Sequence, residues 1–277
     1  MIIALLHPGD MGAFLGHCLR QNGHTVLWAS EGRSPATAAR AARAGLPSVP
    51  TLADATAQAA VIVSVCPPDA AEAVAQAVLV AGFRGMYVDL NAIAPQRAAA
   101  MGAAVEAAGG SFVDGSILGG PSWEQGQTDV YFSGPRAEEA AALLRGERVA
   151  ARVLGGAVGQ ASALKMCYAA YTKGTTALLA AILAAAEALE VREPLIEQWT
   201  QDDPEFAPRS QQRVRRVTAK AWRFAGEMDE IAATFEGAGL PGGFHAAAAE
   251  LFRRLTHFKD SDTAPKLEDV LRALRKG

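Results

Sequence analysis

The sequence predicts an α/β fold, a doubly wound sheet followed by an all-helical second half. Three observations carry this. Short apolar runs ended by turn residues recur up to Leu154, with small-residue helical segments between them. The first run leads straight into a glycine-bearing turn and a helical segment. From Gln160 onward the apolar spacing is helical. The expected division is residues 1–157 for the alternating half and 158–277 for the helical half.

Composition narrows the class. The chain has 277 residues, 50% hydrophobic and 20% charged, enough for one large or two ordinary domains with a sizeable core. A net charge of -3 gives no electrostatic footprint for nucleic acid or an anionic membrane. Cys18, Cys66 and Cys167 form no C-x-x-C pair, so neither a disulfide framework nor a metal site is expected, and a reducing cytoplasm is the default. The first apolar run lacks a basic leader and stops at His7-Pro8, unlike a signal peptide. The alanine-rich run Thr176 to Ala188 comes nearest to a membrane span and is expected to be a buried helix.

Ile2 to Leu6 is the first strand, ended by Pro8-Gly9. Pro8, Gly9, Asp10, Met11 and Gly12 form the turn, Ala13 to Arg20 is helical, and His24 to Trp28 is the second strand. Such a unit binds a mononucleotide: glycines admit a phosphate to the backbone, and the helix start offers N–H groups and a positive dipole end. After the second strand, Ser30 and Arg33 suit a 2′-phosphate and so favour NADP, with NAD possible. Glu31 argues the other way, and the alternative for Arg33 is a solvated loop cation. Val61 to Val65 and Gly85 to Asn91 are further strands. Their ends place Cys66, Pro67 and Asn91 beside a cofactor, Cys66 as a packed thiol rather than a nucleophile and Pro67, with Pro68, read first as a rigid loop residue. A fifth strand, Ser111 to Asp114, leads into Ser116, Gly119 and Gly120, a backbone-rich loop suited to a small ligand, with a surface turn as the alternative, before a later strand Val130 to Ser133.

The stretch Gly156 to Lys173 is the hinge between the two halves. On one helix, Ser162, Met166, Ala169 and Lys173 share a side, and Lys165, Tyr168 and Thr172 share the neighbouring one. Lys165 and Tyr168 could both reach a substrate; the alternative is a lysine snorkelling from a buried helix. The cluster Arg213, Arg215, Arg216, Lys220 and Arg223 reads as a solvated face or an oligomer contact.

Four segments in order carry a family resemblance: His7 to Gly12 against G-x-G-x-M-G, Asp89 to Pro95 against D-x-S-x-x-x-P, Asp114 to Gly120 against D-A-P-V-S-G-G, and Gly156-x-x-Gly159-x-Ala161-x-x-x-Lys165 against G-x-x-G-x-G-x-x-x-K. The chain resembles the β-hydroxyacid dehydrogenases, relatives of 6-phosphogluconate and 3-hydroxyisobutyrate dehydrogenase, in a branch with a phosphogluconate-dehydrogenase-like C-terminal domain. The resemblance implies a Rossmann-type doubly wound sheet, an all-α C-terminal domain, homodimers with interlocking helices, and an active site in the cleft between domains. It implies nicotinamide-dependent hydride transfer on a small hydroxyacid or carbonyl, with NADP(H) favoured by Ser30 and Arg33, Lys165 moving the proton, and Ser116, Gly119 and Gly120 holding the substrate; Tyr168, at a position where the chain departs from the family, could orient the substrate or share the proton path. A lysine in that role needs burial that lowers its pKa toward neutrality.

The departures bear on substrate. Leu118 stands where the family has a serine, Tyr168 and Ala169 where it has asparagines, and Glu227-Met228-Asp229 near its K-D-L motif; Lys259-Asp260 lies too late in the chain to align. Reduction of a C=N bond, as in imine reductases, is a second reading, for which Glu227 and Asp229 would suit a cationic substrate. A catalytically silent NADP-binding sensor is a third.

Overall fold

A computed structural model of the protein describes residues 1–259, 261 and 263–275. Asp260 of the Lys259-Asp260 pair lies outside the described residues, as do the last two residues of the charged tail. The chain divides into two compact units, Met1–Lys165 and Met166–Gly277. The first is eight residues longer than the expected 1–157, because the helix carrying Lys165 begins inside the hydrogen-bond network of the sheet described below.

The first unit alternates strand and helix: β1 Ile2–Leu5, α1 Asp10–Gln21, β2 Thr25–Ala29, α2 Pro35–Arg43, β3 Ser48–Val49, α3 Leu52–Gln58, β4 Val61–Ser64, α4 Ala71–Val80, β5 Met86–Asp89, α5 Pro95–Ala107, β6 Ser111–Leu118, β7 Thr128–Ser133, α6 Ala137–Leu144 and β8 Val149–Gly155. The eight strands lie in the order β3-β2-β1-β4-β5-β6-β7-β8. The crossover between β1 and β4 is the topological switch point, where doubly wound sheets bind ligands. The strands read as continuous apolar runs because both faces are covered. Ile3 and Leu5, Val61 and Val63, Met86 and Val88 pack into one core layer; Ala4, Ile62 and Tyr87 pack into the other.

Two features depart from the sequence expectation. The fifth strand runs to Leu118, so Ser116 lies inside a strand rather than a loop. The cause is antiparallel pairing with β7, which sets Ser116 opposite Tyr131 and Leu118 opposite Asp129. No helical crossover joins β6 to β7, and a direct return connection gives antiparallel pairing. The sheet is therefore mixed, with β8 parallel to β7 again after α6.

The second unit is helical. α7, Gln160–Ala169, crosses the boundary; α8 Thr175–Ala188, α9 Arg192–Asp202, α10 Phe206–Val217, α11 Ala221–Gly237, α12 Gly243–Arg254 and α13 Leu267–Arg275 follow. Between α7 and α8 the run widens into a π-helical turn, Ala170–Gly174. This breaks the expected regular phase that aligned Lys173 with Ser162. The hydroxyls of Thr175 and Thr176 donate back to the carbonyls of Tyr171 and Thr172, and the Arg213 guanidinium also donates to the Thr172 carbonyl. Side-chain donors entering the helical ladder bend and widen it. The whole run Gln160–Ala188 is long and apolar enough to cross a membrane by length and composition. Met166, Ala169, Ala177, Ala180 and Leu183 on it are buried within the chain, as on a core helix.

Candidate functional site

Three loops open at the carboxyl edge of the sheet. The first follows β1. Gly12 sits where an added Cβ would lie 2.2 Å from the His7 carbonyl oxygen, so only glycine lets α1 start this close to the strand. No side chain caps α1. The N–H groups of its first turn have no acceptor within the helix, and the dipole adds a positive end. This geometry fits a dinucleotide phosphate. Pro8 and Gly12 are buried, Gly9 is half-buried, Asp10 is exposed, and Met11 packs against the core. Arg40 of α2, which the sequence reading missed, donates to the Pro8 carbonyl (3.2 Å) and lies 3.8 Å from Asp10, fixing the turn from outside. His7, at the family's first glycine, is held neutral: burial, then the charge of Arg33, lowers its pKa to about 4.

The second loop follows β2. Ser30 donates to the Val49 carbonyl at 3.2 Å, so its hydroxyl helps shape the loop. Ser34 caps α2 through the Thr37 N–H. Arg33 is exposed. Its charge acts on both His7 and Cys66, so the loops after β1, β2 and β4 share one electrostatic space.

The third loop joins the ends of β4 and β5. Asn91 is buried; its carbonyl accepts from the Cys66 N–H (2.6 Å) and its amide donates to Asp89 (2.6 Å) and Ser64 (3.2 Å). At this position it holds the Cys66-Pro67 turn, with Pro67 exposed at the tip. Burial raises the Cys66 thiol to about 12, in keeping with a packed thiol. Asp89 is fully buried. Burial, opposed by the Asn91 hydrogen bonds and reinforced by Asp114, raises its pKa to about 7. Its folded pKa lies above the unfolded one, so the native state binds the extra proton between about pH 4 and 7, and stability falls as pH rises through that window. Chemical denaturation of the wild type should follow this slope, and Asp89→Asn should flatten it.

Lys165 stands on the fourth element. Its Nζ donates to the Ile117 carbonyl at 2.6 Å, placing the ammonium at the end of β6, one residue before Leu118 and the exposed Gly119-Gly120 pair. Gly119 adopts φ +91, which favours glycine. Thr128 anchors the loop by donating to the Gly120 carbonyl (2.8 Å). Ser116 is buried, and among the described residues its Oγ has no hydrogen-bond partner.

What aims the lysine is Asp114, quoted in the sequence as a motif position but given no role. Its carboxylate accepts from the Gly159 N–H (2.9 Å), the Ser162 N–H (3.1 Å), the Ser162 hydroxyl (2.6 Å) and the Ser133 hydroxyl (2.8 Å). Ser133 in turn accepts from the Ala161 N–H at 3.0 Å. The start of α7 is thus closed by an internal carboxylate, whereas that of α1 is left open. A serine two residues into a predicted helix was the available signal. Tyr168, three residues beyond Lys165 on α7, is 46% exposed. In the helical unit, Glu227 pairs with Lys173 (2.7 Å) and Asp229 with Arg253 (2.5 Å). Neither is a free negative charge for a cationic substrate.

Comparison with known proteins bears on the fold and the family. A search of the curated proteins gives no match. MTH1747, a conserved protein of unknown function described as structurally similar to 3-hydroxyacid dehydrogenases, is 29% identical, with 93% of this chain and 97% of that one covered and a TM-score of 0.68. The 3-hydroxyisobutyrate dehydrogenase of Mycobacterium tuberculosis shares the fold at 19% identity, 99% coverage of both chains and a TM-score of 0.69. An imine reductase from Myxococcus stipitatus, solved with NADP+, shares it at 20% identity, covering 99% of this chain and all of that one, with a TM-score of 0.55. Residues 186–255 match a domain of unknown function, DUF1932. Residues 3–159 match the NAD binding domain of 6-phosphogluconate dehydrogenase, and the chain belongs to that family.

Proposed function

We propose that the protein is an NADP(H)-dependent oxidoreductase acting on a small hydroxyacid or carbonyl compound, with Lys165 as the proton-transfer residue. The observation that carries this reading is the Lys165 Nζ held 2.6 Å from the Ile117 carbonyl at the sheet's carboxyl edge. The turn from Pro8 to Gly12 would hold the pyrophosphate, with Ser30, Arg33, Cys66, Pro67 and Asn91 around the remainder. A bound nicotinamide supplies or accepts the hydride. Lys165 gives a proton to the substrate oxygen in reduction, or takes one in oxidation, as charge develops there. Gly119 and Gly120 offer backbone contacts, and Ser116 offers a hydroxyl with no hydrogen-bond partner among the described residues. Tyr168 would orient the substrate, and the working form would be a homodimer in the cytoplasm. Leu118, in place of the family's serine, keeps C=N reduction as the second reading. That reading loses the support of Glu227 and Asp229, both neutralised by cations.

Arg33 tests the cofactor assignment. In a fluorescence titration, Arg33→Ala should weaken NADPH by about tenfold, the loss of one charge-assisted contact, and leave NADH unchanged. Equal weakening of both cofactors would remove Arg33 from the 2′-phosphate site.

A further inference from the structure

The helical unit carries a cationic feature that hydride transfer does not use. Arg209, Arg213 and Arg216 recur at the spacing of one face of α10, and Lys220 follows on the turn after it. Like charges at this spacing destabilise a helix. Asp203 offsets Arg209 (2.6 Å), but among the described residues Arg216 and Lys220 have no ion-pair partner. All four cations line one cavity of about 310 Å³ with Thr176 and Phe224, and among the described residues no carboxylate lines it. The larger neighbouring groove, about 890 Å³, has Glu193, Glu197, Glu205 and Glu268 among its walls, so the cation excess is confined to the smaller space. Arg213 is already fixed there: its guanidinium donates to the Thr176 hydroxyl, the Thr175 hydroxyl and the Thr172 carbonyl. A guanidinium held in place loses little freedom on binding, and the Arg213 Nη1 group, which takes no part in these three bonds, is left to donate to an oxyanion.

We propose that this cavity binds a small molecule bearing a dianionic phosphate or paired carboxylates, gripped by Arg213, Arg216 and Lys220 with Phe224 as its apolar wall. The volume is at the lower end for small-molecule sites. A protein partner would need about 1,000 Å² or more of interface, whereas these cations are gathered around one concavity. The proposal does not depend on the role of Lys165.

Isothermal titration calorimetry of the full chain at low salt, with inorganic phosphate and separately with malonate, tests it against sodium chloride of equal ionic strength. Saturable binding of at least one anion is expected, weakened about tenfold or more in Arg216→Gln/Lys220→Gln. The two arms separate phosphate from carboxylate. Both substituted residues are exposed, so the double variant should keep the wild-type thermal midpoint without ligand; Arg213→Gln is a second variant. Binding no better than chloride, or equal binding by the double variant, overturns the proposal. So does altered sedimentation of the double variant when the wild type binds neither anion, which would assign the cations to a contact between chains.

Discussion

Replacing Asp114 with alanine is expected to destabilise the sheet unit by about 3–5 kcal/mol, a lowering of its thermal midpoint on the order of 10 °C. The substitution leaves the Gly159 and Ser162 N–H groups and the Ser162 and Ser133 hydroxyls without their acceptor in a buried site. Loss of an ordinary helix cap costs about 1 kcal/mol. The larger figure applies here because several donors are orphaned together and cannot turn to water. Asp114→Asn keeps the volume but substitutes an amide donor for one acceptor oxygen, so it should fall between wild type and alanine. Differential scanning calorimetry of the three proteins checks the order. A midpoint unchanged in Asp114→Ala would show that α7 is held by something other than this carboxylate.

Lys165→Ala should have the largest effect on activity, lowering turnover by about 10²–10⁴-fold, the range for removal of a general acid or base. Binding of NADPH should change by less than about twofold, because the expected cofactor contacts lie on other loops. The helix should stay in place, since the α7 start is fixed by Asp114 rather than by the lysine.

Most of the first unit is legible in the sequence because its signals are local. A strand covered on both faces must be apolar at every position, and Ile3, Ala4 and Leu5 fill both core layers in three consecutive residues. The glycine turn is legible for the same reason: Gly12 lies five residues from the carbonyl it accommodates. What escaped depends on partners far along the chain. Asp114 meets Gly159 and Ser162 across 45 and 48 positions, and no spacing rule joins them. The extension of β6 to Leu118 is imposed by β7, and the π-helical turn by Arg213, 41 residues beyond the carbonyl it contacts. For Lys165 itself, spacing offered only a lysine on a helix; the resemblance singled it out, and its contact with the Ile117 carbonyl, 48 positions away, was not legible.

Under the proposed function the chain turns over a nicotinamide cofactor through Lys165. The most direct test follows absorbance of the reduced cofactor with a panel of hydroxyacids, aldehydes and imines, using wild type and Lys165→Ala side by side. The wild type should show substrate-dependent NADPH consumption or formation on at least one hydroxyacid or aldehyde, and the variant near-complete loss with cofactor binding intact. Cofactor binding without turnover anywhere on the panel, or a variant as fast as the wild type, would contradict the proposed function.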